Sequence, residues 1–212
     1  MITVLLAFDE KDSLLGQYFQ LCAERAAQSV ASSHPNNMIR IGSQILNSAF
    51  LTIKLNEVDN RFIFLAYSHG SPRELQGGEG RYLSVDDDLT KFKDSFFYTF
   101  SCDTAQDLAG VLLSKGCNSF IGYKSKVYIV TTYQEIFANC SNFGLLCFLK
   151  GNNISDSFNG MKQNITNQID GIYATNYLVA SVLRSNRESL TLHANDHSID
   201  VNYYYKNRIE SY

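Results

Sequence analysis

Two short apolar runs constrain the fold of this chain more than any other feature of its sequence. Residues 62–67 are followed by Ser-His-Gly, and residues 96–100 are followed by Ser-Cys-Asp. Runs of this length, rich in aromatic residues and bounded by polar ones, are typical of strands buried on both faces. Because functional side chains of parallel sheets gather at the carboxyl ends of the strands, we expect His69 and Cys102 to lie together.

The remaining pattern alternates strands with helices, which indicates an α/β fold. It predicts a three-layer sandwich, with a central, mostly parallel sheet flanked by helices. Strands are predicted at residues 2–8, 38–41, 118–123, 127–130 and 198–205, helices at 13–31, 43–58 and 104–115, and a mainly helical stretch at 132–187. No repeat or linker divides the chain, so we expect a single domain over residues 1–212.

Composition excludes several classes of function. The 18 basic and 21 acidic residues give a formal charge of −3, which provides no general attraction to nucleic acid or to an anionic membrane. No apolar stretch is long enough to span a membrane, and residues 1–8 meet charged residues too soon for a signal peptide. The five cysteines form no Cys-x-x-Cys pair, which argues against a disulfide framework or structural zinc and for a reducing, cytoplasmic compartment. We expect no metal and no cofactor.

Polar clusters elsewhere have simple structural interpretations. The glycine-rich residues 71–81 are interpreted as a hairpin or rim loop, because a phosphate-binding loop would end in Lys-Ser/Thr and lead into a helix. Asp12 or Ser13 is expected to cap the first helix, and Ser84 or Asp86 a later one. A metal site formed by the three carboxylates of residues 86–88 is the alternative for the last cluster.

The pair formed by His69 and Cys102 has the composition of a nucleophilic site. A cysteine attacks as the thiolate, and a helix expected to begin at Asp103 or Thr104 would direct its positive end toward the sulfur. His69 would serve as imidazolium partner or as the acid that protonates a leaving amine. The backbone amides of Gly70 and Cys102 could bind a developing oxyanion. The alternative is a buried structural cysteine beside an ordinary His-Gly turn.

The same residues resemble the caspase-like (clan CD) cysteine peptidases, most closely the branch of CHAT and gingipain-like domains. The resemblance consists of an apolar strand ending in His-Gly and a second one ending in Ser-Cys-Asp-Thr-Ala. It continues through Leu108, Ala109, Leu112, Gly116 and the Phe-Ile-Gly-Tyr run at 120–123. Together with the later helical stretch, it covers roughly residues 62–162.

This resemblance implies a caspase-like fold and a cysteine endopeptidase whose catalytic dyad is His69 and Cys102. The amide of Gly70 would join the oxyanion hole, and Asp103 would contribute to substrate binding. Clostripain-like members carry an acid two positions before the nucleophile, where this chain has Phe100, so a basic P1 preference is only weakly implied. The resemblance also implies a protein or peptide substrate and activation by a regulatory protein partner, as in bacterial antiviral defence.

Two other functions remain open at this stage. One is a caspase-like module that scaffolds a complex without turnover. The other is a nucleotide- or small-molecule-binding α/β domain, which would be favoured if the loop at residues 77–80 held an anion.

Overall fold

A six-stranded sheet forms the centre of the protein. The structure is a computed structural model that describes residues 1–59 and 61–205. The strands are β1 (Ile2–Phe8), β2 (Asn36–Ile41), β3 (Ile63–Tyr67), β7 (Phe96–Phe100), β8 (Ser119–Tyr123) and β9 (Leu190–Ala194). Their spatial order is β2-β1-β3-β7-β8-β9, and only β9 runs antiparallel to its neighbour. The prediction of a mostly parallel sheet is therefore confirmed.

Helices cover both faces of this sheet, as the prediction of three layers requires. They are α1 (Gly16–Ser33), α2 (Ser48–Glu57), α3 (Asp107–Ser114), α4 (Gln134–Leu149), α5 (Ile154–Ile172) and α6 (Tyr177–Ser189). One buried cluster lies between the sheet and α1, α4, α5 and α6, and a second lies under α2 and α3. The sheet therefore has an apolar core on each side, which explains why its central strands lack polar–apolar alternation.

A small antiparallel sheet extends from the end of β3. It consists of β4 (His69–Gly70), β5 (Glu74–Gly77) and β6 (Gly80–Ser84). Gly80, which begins β6 directly after the turn, has a φ of +105°, a conformation that favours glycine. The hairpin interpretation of residues 71–81 is thus confirmed.

Aromatic rings fill both cores. On one face of the sheet, the ring of Phe97 lies 4.8 Å from that of Phe64 and 5.0 Å from that of Phe120. On the other face, the Phe96 ring lies 4.9 Å from Phe148 of α4. Offset and tilted ring pairs at these separations add specific packing to the hydrophobic burial. They hold β3, β7 and β8 side by side and so fix where their carboxyl ends lie.

Several predicted boundaries were wrong. The helix after Cys102 begins at Asp107, because residues 102–106 form turns in which Asp103 has a φ of +62°. The second helix begins at Ser48, where Asn47 accepts a hydrogen bond from the amide of Phe50, and not at residue 43.

Two predicted strands are also absent from the described residues. Residues 127–130 have no ladder partner, and residues 198–205 contain a 3₁₀ helix, Val201–Tyr204, in place of an edge strand. The edge strand next to β8 is β9, which lies earlier in the chain than these residues. Neither Ser84 nor Asp86 is a helix cap, since Ser84 ends β6 and Asp88 caps the 3₁₀ helix Leu89–Phe92.

Candidate active site

The carboxyl ends of β3 and β7 bring His69 and Cys102 to one edge of the sheet. These strands pair in parallel with Tyr67 opposite Phe100, and each candidate residue follows two positions later. The His69 ring lies 5.6 Å from the ring of Phe19 in α1, and the Cys102 sulfur contacts the backbone of Val127. Phe19 and Val127 both pack with the cluster under α1 and α4, so the two reactive side chains share one face.

Gly70 brings the two chain segments into direct backbone contact. A Cβ atom at this position would lie 2.7 Å from the carbonyl oxygen of Cys102 and 2.7 Å from Cγ2 of Thr104. No side chain larger than that of glycine fits without moving one of these groups. The histidine segment therefore packs directly on the cysteine segment.

Asp12 is a third member of the site. From the sequence, it was expected only as a possible cap of the first helix. Its Oδ2 lies 3.0 Å from Nε2 of His69, while its Oδ1 accepts hydrogen bonds from the amides of Leu14 and Leu15 at 3.0 and 2.6 Å. Burial alone would raise the pKa of Asp12, but these amides and His69 outweigh it and lower the pKa. The carboxylate is thus held ionised and in place, which orients the imidazole.

The tautomer of His69 follows from this contact. With Nε2–H donating to Asp12, a neutral imidazole presents Nδ1 as its free acceptor. The His69 side chain is 42% exposed and that of Asp12 is 18% exposed. Among the described residues, no hydrogen bond joins His69 to Cys102. The ring is therefore oriented and partly open to solvent, without a hydrogen bond to the thiol.

Cys102 rests as a thiol rather than as a thiolate. Burial raises the pKa of Cys102 and outweighs the hydrogen bond from the Val127 amide, which lowers it; the nearby Asp103 carboxylate raises the pKa and Lys126 lowers it, each by less. The Val127 amide donates to the sulfur at 3.4 Å. The expected helix dipole does not act at close range, because α3 begins at Asp107.

Asp103 lies at the same edge, directly after Cys102. Its carboxylate accepts a hydrogen bond from the side-chain amide of Gln106 at 3.1 Å, and its own amide donates to the carbonyl of Ser125 at 3.4 Å. These contacts hold the turn that follows Cys102. A role of Asp103 in substrate binding stays a prediction.

The other polar signals have structural roles in the described part of the chain. Asp86 pairs with Arg73, Asp88 caps the following 3₁₀ helix, and no three His, Cys, Asp or Glu side chains there are placed to hold a metal ion. The four other cysteines, Cys22, Cys117, Cys140 and Cys147, are free thiols, and only Cys147 is partly exposed.

Asp9, at the end of β1, is a functional candidate that the sequence did not indicate. Its side chain is completely buried, and its Oδ1 accepts a hydrogen bond from Ser43 at 2.6 Å. Its Oδ2 has no hydrogen-bond partner and would lie 3.7 Å from a Cβ at Gly77. A buried carboxylate oxygen without a donor is uncommon, and this one lies at the same edge of the sheet as His69.

The sequence matches no protein-family model and no curated protein. Over residues 1–59 and 61–205, none of the helices has both the length and the apolar character needed to cross a bilayer.

Proposed function

We propose that the protein is a cysteine endopeptidase of caspase-like type, with Cys102 as nucleophile and His69 as general acid–base. The main support is the position of these two side chains, each two residues past the end of one of two adjacent parallel strands and on one face of the sheet. The orienting contact from Asp12 to His69 adds the third group that an acid–base histidine requires.

The reaction would begin from the neutral pair. As the Cys102 sulfur attacks the scissile carbonyl, its proton passes to Nδ1 of His69, and the imidazolium formed is stabilised by Asp12. The backbone amides of Cys102 and Gly70 would bind the oxyanion. His69 then protonates the leaving amine, which leaves a thioester on Cys102, and water hydrolyses that thioester to release the acid and restore the thiol.

Replacement of the nucleophile is the first test. Cys102→Ala should abolish cleavage of a peptide-library substrate while the thermal melting curve is unchanged, since the side chain is only partly buried. Cys147→Ala is the matched control and should retain full activity. Cleavage that survives in Cys102→Ala would rule out the proposal.

We propose a basic P1 residue in the substrate. Asp9, Glu10 and Asp12 follow β1 at the same edge. The buried Oδ2 of Asp9 lies beside Leu46, on the face of the sheet opposite to His69 and Cys102, and lacks a donor that an arginine or lysine side chain reaching across the strand ends could supply. Because Asp9 lies beneath Gly77 and Gly78, the hairpin must lift to admit that side chain. Fluorogenic substrates should be cleaved faster with Arg than with Asp at P1, and Asp9→Asn should reduce this preference. An unchanged preference in that variant would exclude Asp9 from the pocket.

The second candidate function is a scaffold or interaction module without turnover. The raised pKa of Cys102 and the Val127 contact to its sulfur favour this alternative, or a peptidase that waits for a regulatory protein partner. An electrophilic peptide probe distinguishes active from silent protein. Labelling of Cys102 alone, located by peptide mass spectrometry, supports the peptidase, and labelling no faster than that of Cys147 supports the scaffold.

A further inference from the structure

A cavity of ≈ 560 Å³ lies among α1, α4 and α5, in the helical layer. Five of its ten lining side chains are carboxamides: Gln28, Asn139, Asn142, Asn164 and Gln168. Arg25 is the one charged residue of the lining. We refer to this site as the amide cavity. Its volume falls within the range of small-molecule sites, about 300–1,000 Å³.

Several of these polar groups have unused hydrogen-bonding capacity. The side chains of Gln28 and Gln168 have no hydrogen-bond partner among the described residues, and the side-chain amide of Asn164 reaches only the sulfur of Cys140, at 3.9 Å. Asn142, in contrast, is 7% exposed and fully engaged, because it accepts from Tyr67 and donates to the carbonyl of Ala138. The cavity thus combines one fully bonded carboxamide, that of Asn142, with others that still have free donors and acceptors.

The lining indicates the chemical class of the ligand. Carboxamides donate and accept at once, which matches the edge of a purine base, and the ring of Phe143 offers a flat apolar surface for stacking. No carboxylate lines the cavity, which disfavours a metal ion or an amine.

Arg25 supplies the charge that a phosphate group would need. It now pairs with Glu135, whose side chain is 64% exposed, and with Asn139. An ion pair with so exposed a carboxylate is weak, so a phosphate can replace the carboxylate. Arginine binds phosphate oxygens through two parallel hydrogen bonds.

We propose that the amide cavity binds a purine nucleoside monophosphate. The base lies between the ring of Phe143 and the amides of Gln28 and Gln168, and the phosphate contacts Arg25. This site is separate from the edge that carries His69 and Cys102, so the proposal does not depend on peptidase activity.

Isothermal titration calorimetry of the full-length protein with AMP and with GMP tests this proposal. At least one nucleotide should bind with one-to-one stoichiometry, and at least about tenfold more tightly than its nucleoside, because the nucleoside lacks the phosphate contact. Gln168→Leu and Arg25→Gln should each weaken binding by about tenfold or more. The matched control is Gln163→Leu, which alters an exposed residue of the same helix and should bind as the wild type does.

Circular dichroism and thermal melting of each variant show whether it is folded before titration. Absence of binding by both nucleotides at 1 mM would overturn the proposal. Unchanged affinity in folded Gln168→Leu and Arg25→Gln would overturn it as well, because binding would then occur elsewhere.

Discussion

At the residue scale, the side chain of Asp12 has two roles. Its Oδ1 binds the two amides that precede α1, and its Oδ2 binds His69. The prediction that Asp12 or Ser13 caps the first helix was wrong, because the N-cap of α1 is Leu15 and no side chain caps it. Asp12 instead holds the turn before the helix. Its contact with His69 could not be predicted, because that residue lies 57 positions away and meets Asp12 only when β1 and β3 pair.

Asp12→Asn should therefore separate catalysis from stability. Asparagine retains the oxygen that accepts from Leu14 and Leu15, so the melting temperature should change little. It loses the carboxylate that fixes the imidazole tautomer, and kcat should fall by about 10²–10⁴, as in serine proteases with the equivalent change. Steady-state kinetics measure this effect, and Ser13→Ala, an exposed neighbour, is the control. A wild-type kcat would show that His69 does not depend on Asp12.

The environment of Cys102 predicts how its reactivity depends on pH and on two neighbouring charges. Because the pKa of Cys102 is raised, its thiolate fraction should still increase about tenfold per pH unit between pH 7 and 8. Asp103→Asn removes a charge that raises this pKa and should accelerate alkylation. Lys126→Met removes a charge that lowers it and should slow the reaction. Each change should be about two- to fivefold, as expected for partly screened charges.

Iodoacetamide labelling, followed at the Cys102 peptide by mass spectrometry, measures these rates. The Cys147 peptide is the internal control, because neither substitution changes its surroundings. A rate that is independent of pH between 7 and 8 would contradict the resting-thiol description. Equal rates in the two variants would show that neither charge acts on the sulfur.

At the element scale, contact between β4 and the turn after β7 depends on Gly70. Gly70→Ala places a methyl group 2.7 Å from the Cys102 carbonyl oxygen, so the two segments must separate. We expect a loss of about 1–3 kcal/mol in unfolding free energy and a larger relative loss of activity. Gly110→Ala, within α3, meets nothing within 4 Å and should instead stabilise the protein by about 0.5–1 kcal/mol.

Urea unfolding and substrate cleavage, measured for Gly70→Ala and Gly110→Ala, show whether the close contact at Gly70 is required. Gly70→Ala with wild-type stability and activity would mean that the contact is not required. The sequence predicted that His69 and Cys102 lie together and that Gly70 contributes a backbone amide. It did not indicate that Gly70 would pack directly against the Cys102 carbonyl.

The element after Cys102 shows a limit of pattern-based prediction. Residues 104–115 have helical periodicity, but α3 forms only from Asp107. The preceding turns are held by tertiary contacts, among them the Ala105 amide on the carbonyl of Tyr123 and the Leu108 amide on that of Pro72. A local pattern does not contain such contacts, so the dipole effect inferred from it was wrong.

For the whole molecule, the strands that carry apolar runs were predictable and the closing strand was not. The predicted bounds of β1, residues 2–8, agree with the structure, because seven consecutive buried residues leave no other element. β9 is short, largely half-buried, and defined by antiparallel pairing with β8. Residues 127–130 have strand-like composition without a partner, since β9 occupies the edge of β8. For both β9 and residues 127–130, the presence or absence of a partner strand, rather than composition, decided whether a strand formed.

The segment after β9 is attached to the rest of the protein through Tyr204. Its side chain is completely buried, and its ring lies 5.8 Å from Phe148, which in turn packs on Phe96 of β7. Tyr203, its neighbour in the same 3₁₀ helix, is half-buried and lies against the guanidinium of Arg61. Tyr203 and Tyr204 are the same residue type in the same 3₁₀ helix, but only Tyr204 is completely buried.

Tyr204→Ala should cost about 3–5 kcal/mol of unfolding free energy, because it leaves a cavity between the C-terminal segment and α4. Tyr203→Ala should cost about 1 kcal/mol or less, since it removes a partly exposed cation–π contact with Arg61. Urea titration monitored by circular dichroism measures both values in the full-length protein. Equal losses would mean that the C-terminal segment contributes through its backbone alone. A loss confined to Tyr204→Ala would show that this aromatic contact joins the end of the described chain to the layer behind the candidate site.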